Sequence, residues 1–475
     1  MRPHLAWLWL ATSLGGCSLL YNPSNIGEPM DARPIDAPPI FDADPSMLTL
    51  TKAFPSFLYE GTGEGGSRPA VLVIEGMHMV PGNTTVTITK AAAATKTPLV
   101  VVDNAGLKVE ANGLRLAVPV TVTVDPLVGN ETVALDITVS QDSPVGRISK
   151  TLTGMVTLQG FPEILPTTTT LPTLMGGVNE FSKVQRSTGT FTIASTTMPV
   201  SIRSRSSLDL VGVTTLSVSA NANNPGPGGF AGGPGGSTVS PAGAGMGPAP
   251  GAASGGAAGF TTDPTIFTLG VPFRGSGGGG GQGAATTGGP GGGGGGSIEL
   301  SAAGDLKVGN INAKGGTPPA NLNIGGGGSG GVIVLRAGHD LEGGVLDVAG
   351  TGTAAPGRVR YDAGGTVTLA GAAMFFRGAM FVDPPLITTT ATPTINVSGT
   401  KLTSFKYYIL NATGQVVNGP FTGNVPDNGP ASITFGSGPT DRLFDGLNRV
   451  CLVLGTGDAS SETRNCADIA FVYQP

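Results

Sequence analysis

The sequence predicts an all-β protein, and three observations carry that expectation. Runs rich in Val, Thr and Ile alternate with polar residues, while strong helix formers are scarce. The 79 glycines and 38 prolines among 475 residues punctuate those runs, which favours short strands joined by turns. In the middle of the chain, stretches repeat with apolar residues returning to the same places. Only 12% of residues are charged, the formal net charge is −5, and no basic stripe carries interleaved aromatics, so nucleic acid is not an expected partner.

The first element is a leader. Arg2 supplies a positive start, "LAWLWLATSLGG" is an apolar run too short to span a bilayer, and small residues precede Cys17. The series Leu14, Gly15, Gly16, Cys17 resembles a bacterial lipobox. That resemblance implies that residues 1–17 form a lipoprotein signal peptide whose cysteine is lipidated and becomes the new N-terminus. Buried acyl chains, at about 0.8 kcal/mol per CH2, would hold the mature chain to a membrane. Ser18, where inner-membrane lipoproteins of the best-known sorting rule carry Asp, favours the outer membrane. The alternative placement is the periplasmic face.

Residues 18–48 come next. "DARPIDAPPIFDAD" has no apolar period, and its prolines prevent a compact cation cage, so it is expected to be a solvated, disordered tether. It resembles the tails behind the lipobox in lipoproteins of myxobacteria and their relatives.

Residues 49–163 alternate as strands. "AVLVIEG" and "TVTIT" flank the turn residues Pro81, Gly82 and Asn83, and later strands follow at similar spacing, which argues for a β-sandwich. Pro55, the turn "EGTGEGG", Val73, Glu75-Gly76 and Val86 to Ile88 resemble the opening of an IPT/TIG domain, an immunoglobulin-like module. His78 in the following loop is expected to be a solvated residue. Residues 164–177, with "LPTTTTLPTL", read as an extended Thr/Pro linker.

Residues 178–382 hold the repeat. Ile298, Leu300, Ala302, Asp305, Leu306, Ile311 and Ala313 match Ile333, Leu335, Ala337, Asp340, Leu341, Leu346 and Val348 without gaps. An earlier copy places Val200, Ile202, Leu208, Leu210, Leu216 and Val218 in the same register with a two-residue insertion. A degenerate copy offers Val359, Tyr361, Val367 and Leu369. One such unit cannot bury its apolar side alone, but stacked units about 4.8 Å apart can. The expected architecture is a right-handed parallel β-helix or a close solenoid relative. Long glycine tracts enter just before a coil's first strand, either as extruded loops or as polyglycine packed beside the coils. They lack the Gly-Lys-Ser/Thr of a phosphate-binding loop and the recurrent Asp of calcium-binding repeats. The pattern resembles Gly-rich solenoid regions of deltaproteobacterial surface proteins.

Residues 383–475 form a last β module. Leu443, Asp445, Gly446, Asn448, Val450 and Gly457-Asp458 resemble the final strands of bacterial Ig-like domains. With Cys17 lipidated, Cys451 and Cys466 remain as one pair in an exported chain, so a disulfide between them is expected. A metal or catalytic use of these thiols would need a nearby histidine, and none lies close in sequence.

The whole is expected to be an all-β, lipid-anchored cell-envelope surface protein. Its role would be structural, adhesive or glycan- or protein-binding, with no catalytic residues, metal or cofactor. The rival expectation is a carbohydrate-active β-helix enzyme, a polysaccharide lyase or hydrolase, because such enzymes place clustered acids in a groove along the coils. The candidates for that chemistry are Asp209, Glu299, Asp305, Asp340, Glu342, Asp347, Arg336 and His339. Asp305 and Asp340 hold equivalent turn positions, where an Asp also serves as a turn cap. A periplasmic scaffold is the third expectation.

Overall fold

The computed structural model describes residues 47–94, 99–123, 130–168, 170–186, 188–194, 197–213, 215–237, 240–247, 251–252, 288–320, 325–370, 375–399, 404–426, 430–436, 441–454 and 465–474. The leader with Cys17, nearly all of the tether, the central glycine tract over 253–287 and the turn between the two cysteine strands lie outside them. Among the described residues the regular structure is strand throughout, in six sheets, and the chain is all-β.

The first module has nine strands. They are β1 (Thr49–Phe54), β2 (Phe57–Tyr59), β3 (Ala70–Met77), β4 (Thr84–Lys90), β5 (Val100–Val102), β6 (Lys108–Val109), β7 (Arg115–Val122), β8 (Thr132–Ser143) and β9 (Gly146–Gln159). One sheet runs β1-β3-β7-β5, the other β2-β9-β8-β4. Between them lies a core that includes Leu72, Ile74, Val86, Leu116, Val118, Leu135, Ile137 and Leu158. The alternation of β8, apolar at every second residue, places one face in that core and leaves Thr138 and Ser140 on the other. β3 and β7 break this rule. Val71, Leu72, Val73 and Ile74 are all buried, so β3 is covered on both faces.

The middle of the chain is a stack of coils joined by parallel pairing. The first wall is the ladder Gly177–Phe181, Val200–Ser204, Ser297–Ala302, Val332–Ala337, Arg358–Ala363 and Phe375–Arg377. Its register sets Val200 beside Ile298, Ile298 beside Ile333, and Ile333 beside Val359. A second wall stacks Leu208, Leu306, Leu341 and Val367. A third stacks Leu216, Ile311 and Leu346. The inward side chains of all three walls meet in one core. The coil containing Val200 differs from the next by three residues rather than two: Leu210 to Leu216 spans six positions, Val308 to Ile311 three.

Two boundaries differ from expectation. The segment 164–177 is no free linker, because Ile164 and Leu174 are buried in the coil core and Leu174 bridges Ile193 in parallel. Glu163–Ile164 already pairs with Lys183–Gln185, so a coil forms where Thr and Pro suggested only extended chain. At the far end, Met380–Val382 pairs with Thr394–Ser398 and Phe381 enters the last module's core. That strand belongs to the last module rather than to the stack.

The described glycine tracts are packed, not extruded. Gly226 donates to Gly294, Gly294 to Phe230, Gly292 to Gly326, Gly316 to Gly293 and Gly328 to Gly316, each through backbone N–H and carbonyl groups. A Cβ added at Gly292, Gly328 or Gly331 would overlap the backbone carbonyl of Gly316, Gly293 or Gly296. Glycine is required there by the close approach of neighbouring chains, since extended glycine backbones satisfy one another where any side chain would hold them apart.

The last module pairs Ser404–Leu410 with Val416–Asn424 and with Gly446–Leu454, and the latter with Cys466–Phe471. Cys451 lies directly across from Cys466 and the two are disulfide-bonded. This module does not trail behind the others. Leu447, Ala470 and Val472 pack on Val71, Val73 and Ala117, which covers the second face of β3 and β7. Ala111 donates its N–H to the Tyr473 carbonyl across the same contact.

Candidate functional site

The turn "EGTGEGG" of the first module lies against the coils. Asp305 donates its N–H to the Gly65 carbonyl, and Ser182 Oγ donates to Glu60 Oε2 at 3.0 Å. Arg205 stacks its guanidinium over the Tyr59 ring at 4.1 Å, a cation–π contact across the same boundary. Arg68, at the end of that turn, donates to the Pro385 carbonyl at 2.6 Å. Burial pushes Arg68 down to about 10, against the pull of the Asp468 and Asp383 carboxylates.

At this seam the repeat brings three candidate residues together. Asp305 and Asp340 occupy equivalent turns on successive coils, each just before its second-wall strand. Asp305 Oδ1 accepts the Asp340 N–H at 3.2 Å, and Asp340 Oδ1 accepts the Thr366 N–H at 2.7 Å. Each carboxylate therefore caps the equivalent amide of the next coil. His339 precedes Asp340, and its Nδ1 lies 2.7 Å from Asp305 Oδ1 and 3.7 Å from Asp340 Oδ2. The hydrogen bond to Asp305 raises the His339 pKa, burial opposes, and the charges of Asp340, Asp305 and Asp383 add to the rise. One donor atom from each of the three residues lies within 4.8 Å of the other two. All three residues are partly solvent-exposed. His78 lies apart, in the loop after β3, in left-handed backbone with φ 64°.

The other candidates take structural places. Asp209 Oδ1 accepts the Val211 N–H, and Asp347 Oδ1 accepts the Ala349 N–H. Asp347 also pairs with Lys314 at 2.6 Å. Burial raises Asp347, but the hydrogen bonds from Lys314 and Ala349 and the Lys314 charge outweigh it and hold the carboxyl below its ordinary value. Glu342 faces Lys307 on the neighbouring coil at 3.4 Å.

Glu299 and Arg336 are not in an open groove. They point outward from the first wall, yet are 1% and 3% exposed. Arg336 Nε is 3.0 Å from Glu299 Oε1 and its Nη1 is 2.9 Å from Asp362 Oδ2. Ser201 Oγ donates to Glu299 Oε2, and Arg360 donates to both oxygens of Asp362. Asn465, next to Cys466, completes the cluster: its Oδ1 accepts from Arg336 Nη1, and its Nδ2 donates to Asp362 and to the Ala379 carbonyl. Burial alone would raise Asp362, but the Arg360 and Arg336 charges and hydrogen bonds from Arg360 and Asn465 hold it below its ordinary value. Sequence reasoning missed Asp362, Arg360 and Asn465. For Arg360 and Asp362 the signal was a charged residue at three alternate positions of one strand, "RVRYDA", where solvent-facing and buried use look alike; Asn465 gave none.

No family profile and no curated protein matches this chain. Among solved structures, the chain has a likeness to AggA, the major subunit of aggregative adherence fimbriae type I from Escherichia coli. That likeness has 14% identity over 24% of this chain and 91% of the other, with a TM-score of 0.14. At that score it fixes neither fold nor activity. Among the described residues, no helix is long and apolar enough to cross a membrane.

Proposed function

We propose that this chain is a lipid-anchored cell-envelope surface protein with a structural, adhesive or glycan- or protein-binding role and no catalytic activity. In this reading the stacked coils are a parallel β-helix and the two flanking modules are Ig-like sandwiches, the first of the IPT/TIG type. The single observation that carries the non-catalytic role is the use made of the coil carboxylates. Asp305 and Asp340 cap backbone amides of the next coil, Asp209 and Asp347 cap turns, and Glu299 is buried against Arg336. A lyase or hydrolase needs free carboxylates facing a groove wide enough for a sugar chain. Here these acids stabilise the stack instead. The lipid anchor rests on the Leu14–Cys17 motif, and the outer membrane on Ser18.

The test is protease shaving of intact cells that express the full chain, with palmitate labelling alongside. Labelling that disappears in Cys17→Ala, with digestion of the wild-type protein on intact cells, is the expected result. Labelled protein that resists until the outer membrane is opened would place it on the periplasmic face. Absence of labelling would remove the lipid anchor from the proposal. Turnover of any acidic polysaccharide by the purified chain, abolished in Asp305→Asn, would overturn the non-catalytic role.

A further inference from the structure

We infer that Asp305, His339 and Asp340 form a binding site for a divalent cation of the zinc type, at the seam where the first module's turn meets two successive coils. The capping role accounts for Oδ1 of each aspartate, because each accepts a backbone amide. It does not account for His339, whose imidazole lies between the two carboxylates without being needed by either cap. Nor does it use Asp340 Oδ2, which faces the ring nitrogen.

The spacing suits a small ion. Ligand atoms about 2.0–2.2 Å from a tetrahedral zinc lie roughly 3.3–3.6 Å from one another. The separation between His339 Nδ1 and Asp340 Oδ2, 3.7 Å, is close to that range, the three donors share a 4.8 Å neighbourhood, and an ion would replace the 2.7 Å hydrogen bond that now joins Nδ1 to Asp305 Oδ1. Thr366 and Asp340 donate their amides to the two carboxylates and so fix their orientation, the part that outer groups play around metal ligands.

The backbone is also shaped around the carboxylates. A Cβ at Gly66, whose φ is +77°, would sit 2.7 Å from Asp305 Oδ1, and one at Gly365 would overlap Asp340 Oδ1. Only glycine at both places leaves room for the two side chains where they lie. One imidazole with two carboxylates suits zinc and similar borderline ions. Calcium and magnesium favour all-oxygen shells with more ligands. Because Asp305 also donates its N–H to Gly65, an ion here would tie two coils to the first module.

The experiment is calorimetric titration of zinc chloride into the untagged, chelator-stripped chain from Ser18 onward, with a thermal melt at each point. The expected result is one equivalent bound with a rise in melting temperature, as a ligand that prefers the folded state requires. His339→Ala and Asp340→Asn are each expected to weaken binding tenfold or more, and His78→Ala to leave it unchanged. Both site residues are partly exposed, so the variants should keep the wild-type circular dichroism spectrum. If His339→Ala fails to fold, His339→Gln serves in its place. Absence of saturable zinc binding to the wild-type chain overturns the inference, as does zinc binding that survives in both site variants. Neither outcome bears on the lipid anchor, because the chain tested lacks it.

Discussion

Arg336 and Asp362 meet across adjacent coils, Nη1 to Oδ2 at 2.9 Å, with both side chains buried. The pair lies on the outward side of the first wall, and Asn465 of the last module hydrogen-bonds to both partners. Removing one partner of a buried ion pair strands the other charge and costs about 3–5 kcal/mol. Asp362→Ala is therefore expected to lower stability by that amount. It would leave the guanidiniums of Arg336 and Arg360 without the carboxylate that both now share. Urea denaturation of wild type and variant checks it, and a loss under about 1 kcal/mol would show that the cluster tolerates an unpaired charge.

The same carboxylate contributes to the stability of the fold in acid. Asp362 and Asp347 are both held below their ordinary values. A carboxyl with a lowered folded pKa stabilises fully above its unfolded value of about 3.9, and that contribution fades as pH falls through the folded value. Stability should thus hold from neutral pH down to about pH 5 and fall below about pH 4. In Asp362→Asn the neutral-pH stability is expected to be lower, but the further loss between pH 5 and pH 2.5 smaller than in wild type. Chemical denaturation at a series of pH values measures both quantities.

The glycine tracts give a prediction of a different kind. A Cβ at Gly328 meets the backbone carbonyl of Gly293, and backbone cannot rotate away as a side chain can. Gly328→Ala must push two chains apart and break the bond from Gly328 N–H to the Gly316 carbonyl. Overpacking costs about 1–3 kcal/mol, and a clash with backbone that cannot turn aside puts this variant at the upper end. Gly82 offers the comparison: nothing lies within 4 Å of its Cβ position, and only its φ of +82° resists a side chain. Gly82→Ala should cost about 1 kcal/mol. Equal losses in the two variants would mean that the tracts are not closely packed.

The coil register was legible because apolar residues recur without gaps from Ile298 and from Ile333, and a one-residue slip would turn every one of them outward. Asp305 and Asp340 were placed on equivalent turns by that same alignment. His339 was visible beside them, but its proximity to Asp305 depends on ring direction, which periodicity does not encode. The coil at Ile164 to Ile193 was hidden because Thr and Pro suit extended chain whether or not it pairs. Packing of the glycine tracts was equally hidden, since glycine is compatible with both free loop and tight contact. The burial of Glu299 was invisible because it faces outward from its strand, and its partners Ser201 and Arg336 are brought to it only by the stacking of neighbouring coils. One signal went unused: "AVLVI" in β3 is apolar at every position, the pattern of a strand covered on both faces.

That signal leads to the last prediction. Val71 and Val73 project from β3 away from the first module's own core and meet Leu447, Ala470 and Val472 of the last module. Asn465 binds that module to the coils, and Gly65 binds the first module to them. Each module therefore buries surface that would be exposed if it folded alone, so the three should unfold together in one calorimetric transition. Val73→Asp places an unpaired carboxylate in the apolar contact without entering the first module's core. It is expected to split the transition into two, with the last module melting first. Two transitions in the wild-type chain would mean that the contact is too weak to couple the modules. A single, merely shifted transition in Val73→Asp would mean that the coils, rather than this contact, join the modules into one cooperative unit.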